Sequence, residues 1–202
     1  MRFLRPFLRP DSVFLEIAPG DCRLAAEVAT HVQRVIGVDI SDQRSPGENS
    51  PANMELIVYD GYTLDLPDAT ADVAFSYQFM EHLHPDDVSV HLRMVRRLLK
   101  PGGVYVFDTP HRLSGPHDVS RYFGDELQCF HFQEWTYRDM RRLLLQHGFS
   151  KTAMFRFGSP RFGCLANLVN DFAELLVSCA PRGLRRRLSS RLFQSVAMIA
   201  WA

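Results

Sequence analysis

Residues 12–40 read SVFLEIAPGDCRLAAEVATHVQRVIGVDI, and the order of residue types in this stretch decides the fold. Val13-Phe14-Leu15-Glu16-Ile17 is the near-continuous apolar run that a parallel strand shows when both faces are buried. Ala18-Pro19-Gly20-Asp21 turns the chain, and glycine there lets backbone approach a ligand closely. Leu24, Val28 and Val32 then share one helical face. Val35-Ile36-Gly37-Val38 is a second strand ending on Asp39, about 20 residues past the turn, where a carboxylate can accept hydrogen bonds from a ribose diol. Strand, glycine turn, helix, strand, acid is the opening of a nucleotide-binding βαβ unit. A βαβ unit that holds no ligand would read the same way.

Outward from this unit, strands and helices alternate. Residues 55–59 read as a third strand ending at Asp60-Gly61, and residues 71–77 as a fourth, led by Asp72. Pro85-Asp86-Asp87 opens a helix running to residue 99, with Val88, Leu92, Val95 and Leu99 on its apolar face. Acids fill its first turn and arginines its later ones, which suits the helix dipole. Pro101-Gly102-Gly103 stops it, and residues 104–107 are a fifth strand. A helix over 133–147, a sixth strand at 151–157 and a seventh at 194–201 follow. Residues 41–53, SDQRSPGENSPAN, are expected to be loop. The pattern predicts an α/β fold: a doubly wound, mostly parallel seven-stranded sheet flanked by helices. A helical insertion at 159–193 precedes the last strand, and residues 1–202 are expected to form a single domain behind a basic, proline-punctuated lead at 1–11.

Composition narrows the classes. The formal net charge is zero, so no global field favours nucleic acid or an acidic surface. The four cysteines, Cys22, Cys129, Cys164 and Cys179, form no CxxC pair and fit a reducing cytosol. The first residues lack the apolar core of a signal peptide. No run approaches the roughly 18 apolar residues of a membrane span. A cytoplasmic location is expected.

At Leu99-Lys100-Pro101-Gly102-Gly103 the accumulated pattern resembles a family, the class I S-adenosylmethionine (SAM)-dependent methyltransferases, whose fold is Rossmann-like. The resemblance covers residues 12–157. Leu15-Glu16-Ile17-Ala18-Pro19-Gly20-Asp21 resembles the family's first motif, Asp39 its strand-two acid, and Asp60-Gly61 its adenine-contacting segment. Leu66-Pro67 with the run 71–76, and Phe79-Met80-Glu81-His82-Leu83, resemble the segments into and out of strand four. The resemblance implies SAM as cofactor. Glu16, Ala18 and Gly20 would lie beneath its methionine part, Asp39 and Ile40 at the ribose, and Asp60 and Gly61 at the adenine. Ser76 and Tyr77 would face the sulfonium and the acceptor.

The departures carry expectations too. The family often has glycine where this chain has Ala18 and Cys22, and Cys22 is expected to narrow the approach between helix and ligand. Family members usually carry cofactor-covering helices before strand one. Residues 1–11 offer little room for these, so the cover would come from elsewhere, from a partner, or be missing.

Residues 108–132, DTPHRLSGPHDVSRYFGDELQCFHF, follow strand five, where doubly wound sheets place ligand loops. Their polar density points to an acceptor site, with His111 or His117 as the base that removes a proton as the methyl arrives. Ser120 or Asp118 could instead simply cap a short turn. The segment also resembles bacterial methyltransferases associated with cell-surface polysaccharide biosynthesis, which implies a small-molecule or saccharide acceptor. His82-x-His84 and the later histidines match no standard zinc spacing, so no metal is expected.

Residues 164–179 form an apolar helix, followed by Arg182, Arg185, Arg186, Arg187 and Arg191. Three readings stay open: a core-packing helix before a solvated basic one, a lid or dimer surface, or attachment to a membrane surface through residues 163–191. Nucleic-acid binding is not expected, because the arginines lack interleaved aromatics. The functional expectation is transfer of a methyl group to an acceptor O or N by in-line displacement. The alternatives are a degenerate methyltransferase-fold protein acting as a SAM-binding regulatory or scaffold subunit, and a dinucleotide oxidoreductase. The oxidoreductase lacks its G-x-G-x-x-G here.

Overall fold

The computed structural model describes residues 3–45, 50–124, 126–156 and 158–202. Five strands run parallel: β1 (Val13–Ile17), β2 (Arg34–Asp39), β3 (Met54–Val58), β4 (Ala71–Tyr77) and β5 (Leu99–Pro110). β6 (Lys151–Arg156), β7 (Ser159–Arg161) and β8 (Ser195–Trp201) complete the described sheet, with β8 antiparallel to both β5 and β6. The order is β3-β2-β1-β4-β5-β8-β6-β7. The chain builds outward from β1 through β2 to β3, then crosses back to place β4 on the other side of β1. That reversal opens a crevice at the carboxyl ends of β1 and β4, where doubly wound sheets bind ligands.

The sheet has eight strands among the described residues, not seven. The addition is β7, whose Ser-Pro-Arg folds back on β6 and carries no apolar alternation to announce it. The expected loop at 41–53 has no helix or strand in its described part, while residues 46–49 lie outside the described residues, as does Phe157 at the end of the expected sixth strand.

Successive strand residues point to opposite faces, and this alternation divides the core. Phe14, Val35, Val73, Phe75, Val104, Val106 and Ile199 face one side, against Ala25 and Val28 of α1 (Arg23–Ala29). Leu15, Ile17, Ala74, Tyr105, Phe107 and Met198 face the other. There they meet Leu92 and Val95 of α2 (Pro85–Leu98) and Met140 and Leu144 of α3 (Tyr137–Gln146).

Local chemistry fixes the elements. Arg97, late in α2, donates to Leu64 O, Leu66 O and Asp68 Oδ1 and so anchors the segment before β4. Asp72 Oδ2 accepts from Val13 N at 2.8 Å and Lys100 Nζ at 2.7 Å, joining the starts of β1, β4 and β5. A Cβ on Gly103 would lie 2.9 Å from Lys100 O and 3.1 Å from Asp72 O, so the backbone approach there admits only glycine. Thr136 and Asp139 form a capping box at the start of α3.

The N-terminal lead is ordered rather than featureless. Residues 5–7 make a 3-10 turn, Leu4 is buried, and Phe3 meets the Phe155 ring edge-on with 4.5 Å between centroids.

The inserted helices are α4 (Cys164–Ser178) and α5 (Arg182–Leu192). α4 is turned opposite to a core helix. Its buried residues are Asn170, Glu174 and Val177, while Leu165, Leu168, Val169, Phe172 and Leu176 stand exposed, at 57–74%. Polar hydrogen bonds hold the inner face. Glu174 Oε1 accepts from Tyr137 N at 2.9 Å, at the start of α3, and from His111 Nε2 at 2.9 Å, at the end of β5. Asp171 pairs with Arg141. No helix among the described residues is long and apolar enough to cross a membrane.

Candidate active site

A cavity of about 740 Å³ lies on the α1 side of the sheet, at the crevice between β1 and β4. Glu16, Ala18, Pro19, Gly20 and Asp21 form its floor, and Tyr77, Asp108 and Ser195 its far wall. Phe3, Leu4 and Phe155 close a third side. The lead therefore supplies a cover that the sequence did not predict.

The floor is a turn held in an unusual conformation. Ala18 (φ 54°), Gly20 (φ 54°) and Cys22 (φ 62°) alternate in the left-handed region, which for a residue with a Cβ costs on the order of 1–2 kcal/mol. That explains the family's preference for glycine at the two departing positions. Cys22 does not narrow the ligand approach, however. Its side chain turns into the core among Leu4, Phe14 and Ala25, with 3% exposed.

Glu16 is the most perturbed acid on the cavity wall. It is 5% exposed, and its Oε2 has no hydrogen-bond partner among the described residues. Burial, with the Asp21 charge adding to it, pushes its carboxyl up to about 8. A buried carboxyl with an open oxygen facing a cavity fits a cationic group.

Asp39 lies behind the turn. Its Oδ2 accepts from Gly20 N at 3.3 Å and its Oδ1 from Ser41 N at 3.3 Å, so the strand-two acid and the glycine turn are locked together. Ile40 is 70% exposed beyond it. A Cβ on Gly61 would lie 3.8 Å from Ile40 Cγ2, so the ends of β2 and β3 form one continuous ledge. Asp60 closes the adjoining turn. The N–H groups of Thr63 and Tyr62 donate to Oδ1 at 2.6 and 2.8 Å and hold its carboxyl below the usual carboxylate range.

Ser76 and Tyr77 part company. Tyr77 lines the cavity, but Ser76 faces the α2 side, fully buried. Its Oγ lies 2.6 Å from Tyr105 Oη, which in turn lies 3.0 Å from His91 Nε2. Adjacent strand residues cannot face the same way, so only one of the pair reaches the cavity through its side chain.

Neither expected histidine base stands on the cavity. His111 is fully buried, stacked on Phe193, and accepts Leu113 N–H at Nδ1 (3.2 Å), so that Nε2–H donates to Glu174. His117 Nε2 is 2.8 Å from Ser114 Oγ, and its backbone N–H donates to Glu134 Oε1 at 2.6 Å. These bonds knit the loop after β5 to itself and to α4.

A carboxylate that does stand on the cavity, beside Tyr77, is Asp108, the first residue of the 108–132 segment. Its Oδ1 accepts from Gln78 Nε2 at 2.7 Å and its Oδ2 from Ser195 Oγ at 2.6 Å. Burial raises its carboxyl above the ordinary range. The missed signal was its place at the end of β5, level with Tyr77 across the β4–β5 ladder.

Comparison with known proteins matches this geometry. Residues 15–107 fit a family profile described as "Methyltransferase domain", and this range spans β1 through most of β5. A probable S-adenosylmethionine-dependent methyltransferase of Mycolicibacterium smegmatis is 31% identical over 137 residues, 67% of this chain and 51% of that protein. The chain thus spans about half the length of the curated relatives it matches. Among solved structures, an S-adenosylmethionine-dependent methyltransferase from Mesorhizobium loti superposes with a TM-score of 0.65 at 18% identity, covering 98% of this chain and 95% of its own. A Burkholderia thailandensis 1,6-didemethyltoxoflavin-N1-methyltransferase, solved with bound 1,6-didemethyltoxoflavin and S-adenosylhomocysteine, gives 0.62 at 18% identity, covering 98% and 74%. The matched profile ends where the cavity's last acid begins, and the fold continues through β8 as in these neighbours; the chain belongs to the class I S-adenosylmethionine-dependent methyltransferases.

Proposed function

We propose that residues 1–202 act as one catalytic unit that moves a methyl group from SAM to an O or N of a small-molecule or saccharide acceptor. The observation that carries this reading is Glu16, a buried carboxyl with one unsatisfied oxygen on the wall of a cavity large enough for a cofactor. The Glu16 carboxylate would take the methionine ammonium, and the Gly20 N–H, released from Asp39, its carboxylate. Asp39 would exchange a backbone donor for the ribose hydroxyls, and the Ile40–Gly61 ledge would carry the adenine, with Asp60 beside it.

Bound there, the sulfonium supplies a methyl group that is already activated. The protein's task is then alignment and exclusion of water. Tyr77 and the Phe3–Leu4–Phe155 wall shield the reacting end. Residues at this end would hold an acceptor atom in line with the methyl group and the departing sulfur. Asp108 receives the proton that an acceptor hydroxyl releases, a role its raised carboxyl suits. Ser195 and Asp108, with Gln78 bonded to Asp108, give that end the hydrogen-bonding character a polyol needs.

Calorimetric titration with SAM and with S-adenosylhomocysteine tests this. Binding by the wild type, weakened at least tenfold in Glu16→Gln and Asp39→Ala, is expected. Asp108→Asn should keep the affinity and lose turnover. Binding without turnover on any sugar or small-molecule acceptor would favour a regulatory subunit; no binding would overturn the reading.

We propose that the outward apolar stripe of α4, beside the arginine-rich α5, lies on an anionic membrane. Apolar residues facing out and Asn170 and Glu174 facing in are the arrangement that an interfacial helix requires.

A further inference from the structure

On the α2 side of the sheet, opposite the cavity, two segments distant in sequence bring three residues together. Glu81 and His82 lie in the 3-10 turn after β4, and His131 in the loop after β5. One ligand atom from each lies within 4.8 Å of the others. The sequence could not show this, because the loop that delivers His131 has no zinc-type spacing to the Glu81-His82 pair.

The surroundings settle which atoms are left free to bind a ligand. His82 Nδ1 lies 3.1 Å from the Phe130 carbonyl oxygen, which can only accept, so the proton is on Nδ1. His131 Nδ1 lies 3.0 Å from Glu134 Oε1, a buried carboxylate, and is assigned the same way. Both rings therefore keep a lone pair on Nε2. Glu81 is 1% exposed, and Thr109 Oγ1 donates to its Oε2 at 2.9 Å, leaving the other oxygen as acceptor. With both Nδ1 atoms engaged, the two Nε2 atoms and the second Glu81 oxygen are the acceptors left for a cation.

We infer that Glu81, His82 and His131 bind a divalent first-row transition ion. Two imidazole nitrogens and one carboxylate oxygen suit zinc or ferrous iron and are a poor match for magnesium or calcium. The outer hydrogen bonds are those that orient metal-binding histidines: one ring donates to a carboxylate and the other to a backbone carbonyl. His131 is further fixed because Asp118 Oδ2 accepts the N–H of Phe130 at 3.0 Å and of His131 at 3.2 Å. Asp118 thus serves as more than a turn cap. Phe132 N donates to Glu81 O at 2.9 Å, closing the loop onto the turn. His82 is exposed, so the ion has a route from solvent and its remaining positions stay open to water or an oxygen ligand. The competing arrangement is a protonated histidine cluster that holds the loop without metal.

The test uses the full chain, stripped with chelator and titrated with zinc by calorimetry, then with cobalt(II) by visible absorption. One ion per chain at micromolar affinity or tighter is expected, with the ligand-field bands of a nitrogen–oxygen site. His82→Ala, at an exposed position that leaves the core intact, should lose at least a hundredfold in affinity. Glu134→Gln should lose ten- to a hundredfold. His84→Ala, at a neighbouring exposed histidine, should change nothing. No zinc binding, or equal binding by wild type and His82→Ala, would overturn the inference and leave the protonated cluster. None of these readouts depends on methyl transfer.

Discussion

His111 and Glu174, 63 positions apart, are joined by a 2.9 Å hydrogen bond with both side chains buried. The bond ties the end of β5 to the inserted helix α4, whose Glu174 also receives the first N–H of α3. Three elements therefore share one carboxylate. Truncation of a partner to a buried carboxylate removes a charge-assisted bond and leaves a void. His111→Ala should lower unfolding free energy by about 3 kcal/mol in denaturant titrations, with SAM affinity at low temperature unchanged. A variant that folds with wild-type stability and has lost turnover would restore His111 as a base.

Glu16 and His91 shape stability against pH in opposite senses. Glu16 binds its proton up to about pH 8 when folded, against 4.5 when unfolded. The native state therefore holds the extra proton, and Glu16's contribution to stability falls as pH rises across that window. His91, buried, is pulled from 6.5 to about 3, so its contribution is lost as pH falls below 6.5. The two slopes offset between pH 4.5 and 6.5, and Glu16 alone acts from there to about 8. Melting curves of Glu16→Gln should lose the decline above pH 6.5 shown by the wild type. Cofactor uptake near neutrality should release a proton, making the heat of binding depend on the buffer. A heat that is the same in all buffers would remove Glu16 as the ammonium's partner.

The α4 stripe makes a separate prediction. Phe172→Glu and Leu176→Glu change exposed residues, so they should shift unfolding free energy by less than about 0.5 kcal/mol. Both should abolish cosedimentation with vesicles containing phosphatidylserine, while vesicles of neutral lipid should bind weakly even to the wild type. Wild-type protein that ignores anionic vesicles and elutes as a dimer, broken by either change, would assign the stripe to a second copy instead.

The fold was legible because burial writes itself into sequence. Phe14-Leu15 and Val35-Ile36 are apolar on both faces, Gly20 and Asp39 sit at the spacing a βαβ crossover imposes, and Pro101-Gly102-Gly103 marks a backbone contact with Asp72. The site was legible only in part. Strand order and ends followed from the pattern, but the face taken by each strand-end residue did not, so Ser76 was grouped with Tyr77 and Asp108 was passed over. α4 shows the same limit in a helix. Its apolar stripe is evident in sequence, yet only the anchoring of Glu174 by His111 and Tyr137 reveals that the stripe points outward. His131 joins Glu81 through a loop of more than twenty residues after β5, a closure that no local pattern encodes.

Asp108 and Thr109 are consecutive in β5, yet one borders the cavity and the other holds Glu81. A single peptide unit is thus a party wall between two chambers. Engineering can alter either side by substituting one residue while its neighbour keeps its rotamer. Inserting or deleting a residue in β5 ahead of position 108 would instead exchange their faces, bringing a hydroxyl to the cavity and a carboxylate to the histidines.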